Sequence, residues 1–186
     1  MQTEISNALK ALKEGGIILY PTDTVWGIGC DATNDDAVAK IYALKERHDS
    51  NALICLVADD KMLKKYIEQV PQVAYNIIEV SEKPLTIIYD DAQNLAPNLT
   101  AEDHSIAIRI PDNEFCYQLS RKLDGALVST SANISGHPTP KSFKEISEHI
   151  LKGVDYIVNL QHEKICDRPS SIIKLSNNGI VKIIRE

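Results

Sequence analysis

The sequence contains no long hydrophobic run, few aromatic side chains and no excess of positive charge. Its longest apolar stretches are five to seven residues, whereas a membrane-spanning helix needs about 20. The N-terminus lacks the basic start and apolar run of a signal peptide, so we expect a cytoplasmic protein without membrane association. The 20 Lys and Arg against 26 Asp and Glu give a net charge of −6, which disfavours binding of nucleic acid over a wide surface.

The four cysteines form no metal-binding pattern. They lie 25, 61 and 50 residues apart, without a Cys-x-x-Cys pair or a histidine at zinc-ligand spacing. Cys55 and Cys116 sit in apolar patterns typical of a protein core. A chain of 186 residues buries enough surface to hold its core without disulfides or metals. We therefore predict one domain over residues 1–186 and no metal site made by the protein alone.

Apolar periodicity predicts strands that alternate with helices. Helices are expected at residues 3–13, 35–45, 59–67, 71–78, 113–123 and 142–151, and strands at 17–20, 52–57, 85–89, 105–110, 126–130 and 156–160. Residues 171–175 and 180–184 are expected to form a hairpin around SNNG, and PTDTVWGIG a loop after the first strand. This order predicts an α/β fold with an open, twisted, mixed sheet flanked by helices.

Polar residues that suit ligand binding lie just after predicted strand ends, where α/β sheets bind ligands. Five segments share this character. They contain Thr22, Asp23 and Thr24; Lys45, Arg47, His48 and Asn51; Ser105 and Arg109; Ser129, Ser131, Asn133 and Ser135; and Arg168, Ser170 and Ser171.

Three of these segments each admit two interpretations. Lys45 and Arg47 could clamp a triphosphate or form a solvated basic helix end. The STSANISG segment could donate hydrogen bonds to phosphate oxygens or satisfy its own turn. Arg109 points off a strand face, so it must meet a carboxylate that comes either from the protein or from a ligand.

Gly27, Gly29 and Ala32 spell the Gly-x-Gly-x-x-Ala pattern of dinucleotide-binding turns. The context differs, because polar and turn residues separate Tyr20 from this run and no helix clearly begins at Gly29. We interpret the glycines as residues that permit tight turns.

Six motifs in a fixed order carry a resemblance to a known family. They are GGIILYPTDTVWGIGCDA, LKERHDSNALICLV, PLT, SIAIRIPD, LVSTSANISG and RPSSIIKL. In this order the chain resembles the YrdC-like family of L-threonylcarbamoyladenylate synthases over nearly its full length. The resemblance implies an open twisted sheet with a concave, positively lined cavity. It also implies a nucleotidyltransferase that makes threonylcarbamoyl-AMP and pyrophosphate from L-threonine, bicarbonate or CO2, and ATP, the first step of threonylcarbamoyladenosine formation in tRNA.

The resemblance implies roles for individual residues. Lys45 and Arg47 are expected to act as catalytic cations on the ATP phosphates. Asn51, Ser105, Ser131, Asn133 and Arg185 are also expected to face the nucleotide, and Thr24, Arg109, Ser129 and Ser170 to surround threonine. Arg109 is expected to pair with the threonine carboxylate, and Mg²⁺ to arrive with ATP.

The chain departs from the family pattern at several positions. His48 stands where many members have Pro, Trp26 replaces a Tyr or Phe, and residues 81–84 lack a Pro-Gly-Pro loop. Leu56 occupies the place where some members present a His toward threonine. Two other functions stay open: an RNA-binding module that uses the same concave surface without synthase activity, and a related enzyme that makes a different carbamoyl adenylate. We expect tRNA to be reached directly or through a downstream threonylcarbamoyl-transferase complex.

Overall fold

The computed structural model describes residues 1–47, 53–166 and 168–186. The helices are α1 (Gln2–Lys13), α2 (Asp35–Leu44), α3 (Asp60–Leu63), α4 (Gln72–Val80), α5 (Glu114–Leu123) and α6 (Glu148–Gly153), with a 3₁₀ helix at Phe143–Glu145. The strands are β1 (Ile18–Pro21), β2 (Trp26–Gly29), β3 (Ile54–Leu56), β4 (Leu85–Tyr89), β5 (Ile106–Arg109), β6 (Leu127–Ser131), β7 (Tyr156–Ile157), β8 (Ser171–Leu175) and β9 (Val181–Arg185).

The strands of the described residues form one sheet in the order β7-β1-β2-β6-β3-β5-β4-β8-β9. The pairs β1–β7, β3–β5 and β4–β8 are parallel, and the other pairs are antiparallel. The predicted open, mixed α/β sheet and its closing hairpin are therefore confirmed.

Side-chain caps fix the starts of two long helices at the predicted places. The Asn34 side chain accepts a hydrogen bond from the backbone of Ala37 at the start of α2. Asn113 does the same for Cys116 at the start of α5. Such caps satisfy N–H groups that have no partner within the helix, so sequence and structure agree on where both helices begin.

The segment PTDTVWGIG was predicted to be a loop, and this prediction is wrong for its second half. Residues Trp26–Gly29 form β2, a fully buried strand between β1 and β6. Position 29 of this strand requires glycine, because a Cβ there would collide with the Val128 carbonyl and the Tyr20 ring. The glycines thus permit close strand packing instead of the tight turns that we predicted.

Other predicted elements are shorter than expected. The helix predicted at 59–67 comprises only Asp60–Leu63, which form α3. The helix predicted at 142–151 is split into the 3₁₀ helix and α6, because Ile146 and Ser147 have extended backbones and the Ser147 side chain accepts the backbone N–H of Ile150 as the cap of α6. The strand predicted at 156–160 comprises only Tyr156 and Ile157.

Apolar side chains cover both faces of the sheet. On one face α1 and α5 pack over one end, where Leu12, Tyr20, Phe115 and Leu127 lie in one buried cluster. The larger core on the other face holds residues from α2, α3 and the long central strands. The four cysteines are buried, which confirms the core placement of Cys55 and Cys116. Within the described residues, no helix is long and apolar enough to span a bilayer.

Candidate active site

A cleft of about 590 Å³ lies on the same sheet face as α1 and α5, over the part of that face that these helices leave uncovered, at β3, β5, β4 and β8. Eight of the predicted site residues line it. They are Thr24, Arg47, Ser105, Arg109, Ser129, Ser131, Ser170 and Arg185. The polar segments that the sequence places far apart therefore converge, as the prediction from strand ends required.

The alternation of apolar and other side chains along SIAIRI, which contains β5, determines which residues of this strand form one wall of the cleft. Ile106 and Ile108 are buried in the core of the opposite face, while Ala107 and Arg109 line the cleft. Because successive side chains of a strand point to opposite faces, the apolar residues hold β5 in place and the others reach the ligand side. The predicted facing of this strand is confirmed.

Lys45 follows α2 and is only 2% exposed. Its ammonium donates to the backbone carbonyls of Ser131 and Asn133 at 2.5 and 2.6 Å. Burial, with a smaller contribution from the Arg47 charge, lowers the pKa of Lys45 to about 8. The alternative of a solvated basic helix end is therefore wrong for Lys45, whose charge lies inside the protein next to the cleft wall.

The turn after α2 brings Arg47 to the cleft. Glu46 has a left-handed backbone with φ of 51°, and the Arg47 N–H donates to the Tyr42 carbonyl at 3.0 Å. The backbone N–H of Ser135 donates to the Lys45 carbonyl at 2.9 Å, so the STSANISG loop is tied to the same turn.

The STSANISG loop combines the two interpretations that its sequence allowed. The Asn133 amide nitrogen donates to the carbonyls of Ile134 and His137 within the loop. Its Oδ1 is buried and has no hydrogen-bond partner among the residues that the structure describes. Asn133 lines a smaller neighbouring cavity that shares Thr139 with the cleft, while Ser129 and Ser131 line the cleft itself.

A charged pair outside the cleft fixes Ser105 at the start of β5. The Ser105 backbone N–H donates to Asp103 Oδ1 at 3.0 Å, and Lys174 Nζ lies 3.0 Å from Asp103 Oδ2. Hydrogen bonds from Ser105 and then Lys174 hold the pKa of Asp103 well below its usual range. Lys174 also lies 3.6 Å from Asp90.

Arg109 lies at the opposite end of β5 and is 4% exposed. Its Nη1 donates to Thr24 Oγ1 at 2.9 Å and lies 3.3 Å from Asp23 Oδ1. Thr22 fixes this loop, because its hydroxyl donates to the Val25 carbonyl and accepts the Thr24 N–H. Of the two partners that the sequence left open for Arg109, the structure contains the protein carboxylate, Asp23.

Ser170 and Arg185 complete this end of the cleft. The hydroxyls of Ser170 and Thr86 are 2.8 Å apart. Arg185 donates from Nε and Nη2 to the Ser170 carbonyl at 3.1 and 2.7 Å. Arg185, which is expected on the nucleotide, therefore lies beside Ser170, which is expected at threonine.

The strand register places most of the residues expected at the nucleotide and most of those expected at threonine at different ends of the cleft. Ile54 pairs with both Ser129 and Ala107, so Ser131 and Ser105 lie at the Lys45 end of the cleft and Arg109 at the other end. The four steps along β5 from Ser105 to Arg109 span roughly 13 Å at about 3.3 Å per residue. This length suits a ligand that has an anionic group at each end.

Several residues that the sequence analysis singled out lie outside the cleft or outside the described residues. Asn51 and His48 belong to the residues that the structure does not describe. Leu56 is buried in the core under α1 and α5. Trp26 packs against the rings of Phe143 and His162, with centroids 5.1 and 5.4 Å away.

Sequence analysis missed other cleft residues, including Thr139, Pro169 and Ile184. Strict alternation along β9 does not predict Ile184, because a register shift opposite Ile172 and Ile173 brings both Ile184 and Arg185 to the cleft. Within residues 1–47, 53–166 and 168–186, no group of three or more His, Cys, Asp or Glu is placed to hold a metal ion.

Comparison with known proteins decides the family. The model of the Sua5_yciO_yrdC family, described as "Telomere recombination", matches residues 10–186. The chain belongs to the Sua5/YciO/YrdC family. This membership confirms the resemblance that the six sequence motifs indicated.

Curated members of the Sua5/YciO/YrdC family match most of the chain. A "Putative threonylcarbamoyl-AMP synthase" of Methanocaldococcus jannaschii is 37% identical and covers 94% of this chain and 81% of its own. A "Threonylcarbamoyl-AMP synthase" of Acinetobacter baylyi is 28% identical and covers 98% of both chains.

Solved structures of the Sua5/YciO/YrdC type share the fold. P. abyssi Sua5 complexed with L-threonine is 27% identical with a TM-score of 0.84, and the match covers 94% of this chain and 52% of that one. This chain thus spans about half the length of that Sua5. Full-length HypF in a phosphate- and nucleotide-bound form is 25% identical with a TM-score of 0.81, over 98% of this chain and 28% of HypF.

Proposed function

We propose that the cleft makes threonylcarbamoyl-AMP and pyrophosphate from L-threonine, bicarbonate or CO2, and ATP. One observation carries this proposal: Arg47 and Arg109 line the same cleft, and the buried ammonium of Lys45 donates to the carbonyl of Ser131 in the cleft wall at the end away from Arg109. A triphosphate and an amino-acid carboxylate are the two anions that such an arrangement fits. The names of the curated relatives that match nearly the whole chain support the same reaction.

The reaction proceeds in two balanced steps. The neutral amine of threonine attacks the carbon of CO2 and releases a proton, which gives a carbamate. A carbamate oxygen then attacks the α-phosphorus in line, so that one P–O bond forms while the bond to the β-phosphate breaks and pyrophosphate leaves. The carbamate is already an anion, so this second step needs positioning and cationic stabilisation more than a strong base.

The residues at the Lys45 end supply that stabilisation. Lys45 is a buried cation with two carbonyl partners and no ion pair with a carboxylate of the described chain. Phosphate oxygens would therefore provide the negative charge that it lacks. Arg47 adds a planar fork, and Ser131 adds a hydroxyl group.

We propose that the nucleotide substrate is the Mg²⁺ complex of ATP. The described residues offer no carboxylate cluster for a metal of their own, and Mg²⁺ commonly keeps its waters and binds substrate phosphates. The ion would neutralise charge on the departing pyrophosphate. The product would serve threonylcarbamoyladenosine formation in tRNA, either on tRNA bound directly or through a downstream transferase complex.

A second candidate is a different carbamoyl adenylate. The likeness to HypF, whose matching structure holds phosphate and nucleotide, supports nucleotide binding in either case. Both candidates use the same adenylation chemistry, so the identity of the amine substrate separates them.

Pyrophosphate release and mass-spectrometric detection of the product test the proposal. MgATP, bicarbonate and L-threonine are supplied together and then omitted one at a time. We expect a threonylcarbamoyl adenylate only in the complete mixture. An adenylate that forms without threonine would favour the second candidate, and salt-sensitive RNA retention without turnover would favour an RNA-binding module.

Variants of the cationic end test the residue roles. Lys45→Ala and Arg47→Ala are each expected to lower kcat/KM by roughly tens- to thousands-fold, because phosphate contacts are lost. Lys182→Ala is the matched control, since Lys182 is an exposed lysine of β9. Wild-type rates in both cleft variants would contradict the assignment.

A further inference from the structure

We propose that Asp23 determines specificity at the Arg109 end of the cleft, making that end accept a zwitterionic amino acid and reject a plain carboxylate anion. The inference rests on the proposed function, because it concerns how threonine is selected. It assigns a role to a residue that lies behind the cleft wall and does not line the cleft itself.

The geometry is that of a buried but incompletely bonded ion pair. The side chains of Arg109 and Asp23 are 4% and 7% exposed, and Nη1 lies 3.3 Å from Oδ1. Among the described residues, Asp23 Oδ1 and Arg109 Nε both lack a hydrogen-bond partner. One buried pair thus holds an unused acceptor and an unused donor, although such groups are normally satisfied.

The bonding of Arg109 shows which nitrogen is free to meet a ligand. The contacts of the guanidinium with Thr24 and with Asp23 both use Nη1. Nε is buried without a partner, whereas Nη2 makes no hydrogen bond within the described chain and remains to donate to a carboxylate. Asp23 and Thr24 therefore hold the guanidinium from one side while the other side can meet the substrate.

The charge of Asp23 decides what this side can hold. Arg109 and Asp23 together are neutral, so a bound carboxylate without a cation leaves a net negative charge in a poorly screened place. An α-amino acid brings its ammonium one carbon away from the carboxylate, and the total charge stays zero. The ammonium needs no contact with Asp23, because Coulomb interactions act over several ångströms at low dielectric.

Asp23 is also held from its far side. Its Oδ2 accepts the backbone N–H of Asp112 at 3.3 Å, and it faces a second cavity of about 470 Å³ on the opposite side of the sheet. Glu82, Lys83, Asp112 and Lys164 are the other charged residues that line this cavity. In the described chain, the ion pair of Asp23 is made with Arg109 and not with either lysine.

Calorimetric binding of two ligands tests the proposal. The ligands are L-threonine and 2,3-dihydroxybutanoate, which has the threonine skeleton with a hydroxyl in place of the amine. We expect the wild-type protein to bind threonine at least about tenfold more tightly, since a single unscreened charge contact is worth this much. In Asp23→Asn the ratio should fall toward one, mainly because the affinity for dihydroxybutanoate rises.

Two variants control this experiment. Asp112→Asn removes a carboxylate from the second cavity and keeps the backbone N–H of residue 112 that donates to Asp23. Asp23→Glu keeps the charge, so both variants should retain the wild-type ratio. A purely structural role of Asp23 would weaken both ligands together and leave the ratio unchanged in Asp23→Asn, which would overturn the proposal.

The wild-type measurement stands even if Asp23→Asn fails to fold. Equal affinity of the wild-type protein for the two ligands would overturn the role of Asp23 alone. Absence of threonine binding, together with absence of the adenylate product, would overturn both this inference and the proposed function.

Discussion

The ammonium of Lys45 lies 2.6 Å from the backbone carbonyl oxygen of Asn133, inside the protein. Two carbonyl dipoles solvate the charge, but the described chain provides no carboxylate to neutralise it. A buried cation in this state costs free energy until an anion binds. Under the proposed function, this charge is in place for a phosphate before ATP binds, and it depends on pH.

ATP affinity is expected to fall as the pH rises through about 8. Burial lowers the pKa of Lys45 to about 8, so in the ligand-free protein the charged form is present below that pH and is lost above it. Each further pH unit should weaken ATP binding by up to about tenfold, the limit for loss of one proton. Calorimetric titration with MgATP over this pH range measures the effect.

Lys45→Arg controls the pH experiment, because an arginine stays protonated at these pH values. The variant is expected to lose the alkaline decline even if its affinity at neutral pH is lower. An ATP affinity of the wild-type protein that is constant to about two pH units above the pKa would contradict the prediction.

Arg109→Ala is expected to weaken threonine binding far more than ATP binding. Arg109 lies roughly 13 Å from the Ser105 end of the cleft, so its loss should cost threonine roughly 30-fold or more in affinity and ATP less than about threefold. Calorimetry with each ligand separately gives both numbers. Equal losses for the two ligands would show that Arg109 does not serve the amino acid.

Removal of Arg109 also leaves Asp23 buried without its counter-ion, which destabilises a protein by about 3–5 kcal/mol. The double variant Arg109→Ala, Asp23→Asn avoids that unpaired charge. Its threonine affinity should remain low while its unfolding midpoint recovers, which separates lost binding from lost stability.

Local sequence patterns were sufficient to predict the features that a single helix or strand determines. The alternation of SIAIRI predicted that Arg109 leaves the sheet on the side opposite Ile108, and the structure places it so. The predicted starts of α2 at residue 35 and of α5 at residue 113 likewise agree with the structure, where Asn34 and Asn113 cap these helices. In both cases the signal lies within a few neighbouring residues.

Contacts between distant segments could not be predicted in this way. Lys45 is buried because carbonyls 86 and 88 residues away meet its ammonium, and the Thr24 partner of Arg109 is 85 residues away. β2 was missed because a strand buried on both faces shows no alternation and this one contains two glycines. Tertiary packing, not local preference, decides these features.

Lys174→Met is expected to weaken ATP binding through Ser105. Lys174 holds Asp103 at 3.0 Å, and Asp103 holds the Ser105 backbone. Partly exposed ion pairs contribute at most about 1 kcal/mol to stability, so the folded protein should persist while ATP affinity falls by about three- to tenfold.

The matched control for this lysine is Lys182→Met. Lys182 of β9 lies directly opposite Lys174 of β8. Within the described chain, Lys182 makes no ion pair. Comparing the KM for ATP with the KM for threonine distinguishes a local effect on Ser105 from general loosening of the sheet. A rise in both constants, or in neither, would contradict the prediction.

Gly29→Ala is expected to destabilise the fold, because β2 packs too closely for a side chain at this position. A Cβ on Gly29 would meet the Val128 carbonyl of β6 and the Tyr20 ring of β1, and backbone cannot move aside as a flexible side chain can. Overpacking of this kind costs about 1–3 kcal/mol or more.

Gly125→Ala is the control, since the nearest atoms there are at ordinary contact distances of 3.5 Å and beyond. Urea denaturation should show a lower midpoint for Gly29→Ala and a nearly unchanged one for Gly125→Ala. If both variants matched the wild-type protein, Gly29 would be serving another purpose than strand packing, and the dinucleotide-type turn that the sequence pattern suggested would have to be considered again.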